Sequence, residues 1–238
     1  MDRRKCVFCH YSRVRTNSLG RIYCPRCKKR YSFKKTERVK KIIEYFALEI
    51  PANKASKVLH LNYKTVYRVY QRLRRKIAKR TEEEFRKLSG EIEVDDAYFG
   101  GRRKGNRGRA ASGKTLVLGM LEREGRVFTS LPENLGLGQV LEATRRYAEK
   151  GSVFYTDKFR SYKSLFIYGR HFSLDHAEKF ANGRVHINGL EGFWSFAKER
   201  MLKYHGISKK HFALYMKELE FRYNHRNNDL IKLFTELW

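Results

Sequence analysis

No apolar run in the 238 residues reaches 18, and nothing hydrophobic follows the opening Met-Asp-Arg-Arg-Lys-Cys. A membrane span and a signal peptide are therefore not expected, and the chain should work in the cytoplasm, wherever the DNA is. Acids are scarce: 25 Asp and Glu stand against 53 Lys and Arg, a formal net charge of +28. A surface so basic binds polyphosphate unless something prevents it, so nucleic acid is the expected partner. Cysteines number four and all fall within the first 27 residues. An intracellular basic chain disfavours disulfides, so those thiols need another use.

The charge is uneven. Residues 1–90 hold 27 basic and 7 acidic side chains, a balance of +20, whereas residues 91–238 hold 26 and 18, a balance of +8. The first third reads as the main DNA grip, and the rest keeps its acids for chemistry. At 41% hydrophobic and 14% aromatic the chain can bury a core.

Cys6-Val-Phe-Cys9 and Cys24-Pro-Arg-Cys27 are two Cys-x-x-Cys knuckles separated by 14 residues. Two residues between thiolates let one tight turn present both sulfurs to a tetrahedral ion, and a hairpin can bring the second pair to the first. The expectation is a zinc ribbon over 1–33 whose Zn²⁺, closed by four thiolates, is structural.

From 34 to 80 the periodicity is helical. Val39, Ile42, Ile43 and Phe46 stripe one helix, and Pro51 suits the start of a short second one. Asn62 is a candidate N-cap for a third, whose apolar face carries Val66, Val69, Tyr70, Leu73 and Ile77. Its other face carries Lys64, Thr65, Arg68, Arg72 and Arg75. Three short helices with a basic third describe a helix-turn-helix, and Lys64, Thr65, Arg68 and Arg72 are its expected DNA contacts. Residues 81–90 read as a charged linker to a catalytic domain over 91–238.

At Glu91 the pattern becomes strand: Glu-Ile-Glu-Val-Asp-Asp-Ala-Tyr-Phe, with four acids in six residues. Alternation puts Glu93, Asp95 and Ala97 on one face and Ile92, Val94 and Asp96 on the other. Periodicity does not choose between Asp95 and Asp96. Adjacent acids on a strand are costly unless a cation compensates. Gly108 to Thr115 matches the P-loop letter for letter, but a strand follows where a helix is required, so nucleotide binding is not expected. Strands are expected at Leu116–Leu121 and Arg126–Leu131, then a helix around Gly138–Lys150. A short strand at Ser152–Thr156 delivers Asp157, Lys158–Leu165 is helical, and His171–Leu174 is a last strand. A helix from Val185 to Tyr204 carries the stripe Leu190, Phe193, Trp194, Ala197 and Met201, with Glu191 and Lys198 two turns apart beside it. Phe212, Tyr215, Met216, Leu219 and Tyr223 stripe the final helix, after which little tail is expected.

Three strands, helix, strand, helix, strand, helix is the order of an RNase-H-like α/β fold. In that arrangement Asp95 or Asp96, Asp157 and Glu191 can converge. Carboxylates holding two Mg²⁺ can activate a water or a 3′-hydroxyl in phosphodiester chemistry.

Val94-Asp95-Asp96-Ala97-Tyr98-Phe99-Gly100-Gly101, Tyr155-Thr156-Asp157, and His186-Ile-Asn188-Gly-Leu-Glu191-Gly-Phe193-Trp194-Ser195 with Lys198 resemble bacterial insertion-sequence transposases of the Merlin-related, ISXO2-like class. Phe221-Arg-Tyr-Asn224 matches as well, so the resemblance covers nearly the whole chain. It implies an Asp-Asp-Glu set of Asp95, Asp157 and Glu191 that binds Mg²⁺ or Mn²⁺, with Lys198 touching DNA near the cleavage point. That class usually has Glu where Asp96 stands. His186 and Asn188 are supporting residues with no assigned role.

The function implied is a transposase that binds the terminal inverted repeats of its element, cleaves at the ends and joins the 3′-hydroxyl to target DNA. Bringing two ends together calls for a homodimer or larger assembly on DNA. A non-enzymatic DNA-binding regulator would have no need of convergent acids. A general RNase-H-like nuclease would not need a two-part sequence reader.

Overall fold

The computed structural model describes residues 5–100, 114–123, 125–174, 187–204 and 206–238. They form two compact units, Met1–Leu73 with Asp229–Trp238, and Arg74–Asn228.

The first unit opens with a three-stranded antiparallel sheet, β1 (Arg15–Thr16), β2 (Arg21–Tyr23) and β3 (Arg30–Ser32), in that order. Helices α1 (Phe33–Ala47), α2 (Ala52–Val58) and α3 (Tyr63–Glu83) follow. The stripe Val39, Ile42, Ile43 and Phe46 is buried, as the 3.6-residue period requires, and so are Val66, Val69, Tyr70 and Leu73 of α3. Asn62 caps α3 by accepting the Lys64 amide N–H on Oδ1 at 2.8 Å. Pro51 sits one residue earlier than a first-turn position, as the N-cap of α2.

The second unit is built on a mixed five-stranded sheet. Its strands are β4 (Glu91–Phe99), β5 (Thr115–Glu122), β6 (Val127–Ser130), β7 (Val153–Asp157) and β8 (Arg170–Leu174), in the order β6-β5-β4-β7-β8. β4, β5 and β6 pair antiparallel, whereas β7 runs parallel to β4 and β8 parallel to β7. Helix α4 (Leu137–Tyr147) and a 3₁₀ helix (Arg160–Ile167) precede β7 and β8, and α5 (Asn188–Leu202) and α6 (Lys209–Asn224) follow. This is the element order expected, three strands, helix, strand, helix, strand, helix. Ile92, Val94, Leu118, Met120, Phe154, Val140 and Tyr162 form the core on the α4 side. Ala97, Phe99, Val117, Leu121, Leu190, Trp194 and Met216 form the core on the α5 and α6 side. Each strand thus feeds alternate residues to opposite faces.

Helix α6 also closes the free edge of β6. Asn224 accepts the Val127 N–H at 2.8 Å and donates to the Val127 carbonyl at 2.9 Å. Glu220 accepts the Thr129 N–H at 2.9 Å, and Lys217 donates to the Thr129 carbonyl at 3.2 Å. Side chains three or four residues apart on a helix therefore replace the missing strand, which satisfies backbone groups that would otherwise template aggregation. Deeper in the unit, Glu218 is held between Arg74 and Arg222 at 2.6 and 2.9 Å, all three buried.

Four expectations change. Residues following Asp157 wind as 3₁₀ from Arg160, not as an α-helix from Lys158. Helix α5 starts at Asn188 with Ile187 as its N-cap, not at Val185. Within 81–90, α3 continues to Glu83, the Phe85 ring packs on Phe128 and Tyr147, and buried Leu88 bridges to Ala148. After α6 the chain forms one more helix, α7 (Leu230–Leu237), capped by Asp229, whose buried Phe234 meets Phe46 at 5.1 Å. Its apolar residues were legible, but they sit within eight residues of the chain end, too short a window for periodicity to assert itself.

Candidate active site and metal centre

The four cysteines come together as their spacing predicts. Their sulfurs all lie within 4.8 Å of one another, with Cys6 and Cys27 at 3.6 Å and Cys9 and Cys24 at 3.5 Å. Tetrahedral Zn–S bonds of about 2.3 Å would space sulfurs about 3.8 Å apart, so the donor set fits that ion. The two knuckles are copies of one turn. The His10 N–H bonds the Cys6 carbonyl and the Lys28 N–H the Cys24 carbonyl, each at 2.9 Å. His10 and Lys28 hold φ of 56° and 60°, left-handed conformations outside glycine that the tight turn imposes.

In the second unit the acids divide by face. Asp95 follows Glu93 on the α5 side, where the Trp194 indole Nε1 donates to its Oδ2 at 3.0 Å. Asp96 points to the other side and accepts the buried Tyr162 hydroxyl at 3.0 Å. The Tyr162 phenol is pushed above its ordinary range by burial and by the Asp96 carboxylate. The parallel register pairs Glu93 with Tyr155; two residues further on, Asp157 ends β7 and Asp95 stands in the middle of β4, near enough for the Asp157 charge to act on its carboxyl. Asp157 Oδ1 is fixed by the Phe159 N–H at 2.9 Å. Burial, together with the charges of Asp96 and Asp157, raises the Asp95 carboxyl from 3.8 to about 6.

Glu191 lies exposed in the first turn of α5, three residues before Trp194. Among the described residues the cysteines are the one group of three or more whose ligand atoms all lie within 4.8 Å, so Glu191 is not drawn onto the aspartates that closely. Lys198 is exposed two turns on and lines a cavity of about 580 Å³ with Tyr98, Phe99, Tyr204 and Phe212. Asn188 is the first residue of α5, and His186 lies outside the described residues. On α3, Lys64, Thr65, Arg68 and Arg72 are all exposed, with Arg72 stacked over Trp238 at 4.6 Å. Of the P-loop-like stretch only Lys114 and Thr115 fall within the described residues, and β5 starts at Thr115 where a helix would be needed.

Two residues that set this geometry were not singled out from the sequence. Glu93 is buried and accepts the Leu190 N–H at 2.8 Å, capping α5 from inside the sheet. Its signal was an acid alternating with Asp95 into the core face. Gly119 lies opposite Asp95 on β5, and a Cβ there would meet the Trp194 ring at 2.7 Å. The missing side chain is what lets the indole reach the aspartate.

The family model described as ISXO2-like transposase domain matches residues 87–224, 138 of the 238. An "Uncharacterized transposase-like protein" of Haemophilus influenzae is 39% identical over 100 residues, 42% of this chain and 81% of that protein. An "Uncharacterized protein in transposable element ISH50" of Halobacterium salinarum is 26% identical over 203 residues, 76% of this chain and 67% of that protein. Among solved structures, "Crystal structure of the Mos1 Strand Transfer Complex" aligns at a TM-score of 0.34 and 14% identity, covering 79% of this chain and 71% of that one.

Proposed function

The chain belongs to the ISXO2-like transposase domain family, and from that premise we propose that it cuts DNA at the ends of its insertion sequence and joins the 3′-hydroxyl to target DNA. The observation that carries the reading is the nearness of Asp95, in the middle of β4, to Asp157, at the carboxyl end of the adjacent parallel strand, with Asp95 on the face covered by the helix that bears Glu191. Asp95 is preferred to Asp96 as the working acid because it shares the α5 face, whereas Asp96 is occupied by Tyr162.

Asp95, Asp157 and Glu191 would hold Mg²⁺ or Mn²⁺ through hard carboxylate oxygens, and the Asp95 carboxyl, raised by burial and then by the charges of Asp96 and Asp157, marks a site that a divalent cation would relieve. Bound there, the ions would activate the attacking oxygen and stabilise the leaving one. Trp194 keeps Asp95 oriented, and Glu93 holds the start of α5, so Glu191 has a fixed origin from which to close on the pair when the site is charged. Lys198 offers a phosphate contact beside the chemistry. Lys64, Thr65, Arg68 and Arg72 on α3 form the reading face of a helix-turn-helix. The Zn²⁺ of the ribbon at Cys6, Cys9, Cys24 and Cys27 stiffens the unit that carries it. Two element ends require at least two copies, so the active form on DNA is a homodimer or larger, working in the bacterial cytoplasm at the nucleoid. Among the described residues no helix is long and apolar enough to cross a membrane.

The test uses the whole chain, Mg²⁺ and a labelled duplex carrying the element's own terminal repeat taken from flanking genomic sequence. Wild type should nick and join at the repeat boundary, and Asp157→Ala should bind without cutting. Specific binding with no Mg²⁺- or Mn²⁺-dependent cleavage by either protein would replace this reading with that of a DNA-binding regulator.

A further inference from the structure

A second concave site lies in the same unit, away from the acids. Arg86, Arg126, His225 and Asn224 line a cavity of about 440 Å³ whose apolar wall is made by Phe128 and Phe221. Arg126 precedes β6 at the level of Glu122, with which it shares a backbone hydrogen bond, whereas Asp95 is level with Thr129. The two sites are thus three residues apart along the strands and two strands apart across them.

Three features make this cavity unlike an ordinary solvated surface. First, it is lined by two arginines, and burial together with the Arg86 charge lowers the Arg126 pKa. Like charges brought near one another repel unless an anion joins them. Secondly, the nearby carboxylates are engaged elsewhere. Glu84, which also lines the cavity, pairs with Arg80, and Glu122 accepts the Ser89 N–H and hydroxyl at 3.1 and 3.3 Å. Among the described residues neither Arg86 nor Arg126 has a carboxylate within salt-bridge distance, and Arg126 instead lies 5.6 Å from the Phe128 ring centroid. Thirdly, the floor is rigid. The Asn224 side chain is spent on Val127, and the His225 ring packs tilted against Phe221 with centroids 4.1 Å apart. Guanidiniums on a rigid apolar floor are suited to a group with several acceptor oxygens and a full negative charge.

We infer that this cavity is a phosphate site, and that its occupant is a backbone phosphate of duplex DNA held by Arg86 and Arg126. The choice of DNA over free phosphate rests on the proposed function and on the chain's excess of positive charge. The phosphate chemistry itself rests on the cavity alone.

The full-length chain is titrated with a random-sequence duplex across a range of salt concentrations, as wild type, Arg86→Gln, Arg126→Gln and Arg126→Lys. Each Gln variant should weaken binding severalfold and reduce the slope of log affinity against log salt by about one, the signature of one lost phosphate contact. The Lys variant, which keeps the charge, should hold the wild-type slope. Arg86 is exposed, so its variant reports even where Arg126→Gln fails to fold. In parallel, phenylglyoxal modification of Arg126 should be blocked by the duplex and not by inorganic phosphate at equal phosphate concentration. Unchanged slopes in both Gln variants, with Arg126 protected neither by the duplex nor by inorganic phosphate, would overturn the site. Protection by inorganic phosphate with unchanged slopes would overturn DNA as the occupant. Cleavage is not read, so failure of the transposase reading would leave these outcomes distinguishable.

Discussion

Trp194 reaches Asp95 over a residue with no side chain. The indole N–H donates to the carboxylate at 3.0 Å, and Gly119 leaves the gap through which the ring lies. An aromatic anchor on α5 thereby fixes an acid on β4, and the same helix carries Glu191 one turn earlier.

Filling that gap should be costly. In Gly119→Ala the new methyl would lie 2.7 Å from one ring carbon and 2.9 Å from another, and buried β5 backbone leaves little room to shift. The expected loss is about 1–3 kcal/mol, read as a lower midpoint in urea with an unchanged slope. Trp194→Phe keeps most of the packing and loses the hydrogen bond. It should lower DNA cleavage more than it lowers stability.

Asp95 makes stability depend on pH in a defined direction. Its folded carboxyl titrates at about 6, above the ordinary value of 3.8, so the folded state holds the extra proton between those values. Stability should then fall as pH rises from about 4 to about 6, by on the order of 2–3 kcal/mol. Asp95→Asn should remove that slope and melt higher than wild type at pH 7 when no divalent cation is added. A wild-type curve that climbs across this window as steeply as the variant's would contradict the assignment.

Glu93 should separate capping from charge. Glu93→Gln keeps an oxygen for the Leu190 N–H, whereas Glu93→Ala leaves that amide unpaired and should cost about 1–2 kcal/mol. Hydrogen exchange at Leu190 and Glu191 should quicken in the Ala variant and stay slow in the Gln variant. Equal exchange in both would mean that α5 needs no cap from the sheet.

The cysteine centre should load one Zn²⁺ per chain by elemental analysis. Cys24→Ser should lower that content and weaken DNA binding, with the far-UV signal of the five-stranded sheet retained. Stoichiometric metal in the variant would show that three thiolates suffice.

Much of this was readable in advance, for identifiable reasons. The ribbon was legible because two knuckles impose one geometry, and α1 and α3 because their stripes match a single period. The faces of β4 were legible because alternation is obligatory in a strand. Which of Asp95 and Asp96 faces α5 was not, since alternation says that they differ and not which one meets a helix. That required Leu190 and Trp194 to be seen packed on Gly119. Glu93 was visible as an acid but not as a cap, because its partner is 97 residues away. Asn224 stood out only through resemblance, and its work on Val127 is long-range in the same way. Helix α7 contributes Phe234 to the first unit from the far end of the chain, a pairing that no local window contains.

The closure of β6 by Asn224, Glu220 and Lys217 gives the sheet one sealed margin and leaves β8 as the other. Among the described residues, a strand added from outside has one side on which to add. Two copies joined through β8 would form a continuous ten-stranded sheet with a sealed margin at each end. Such growth stops at a pair: the arrangement permits a dimer and denies a fibre.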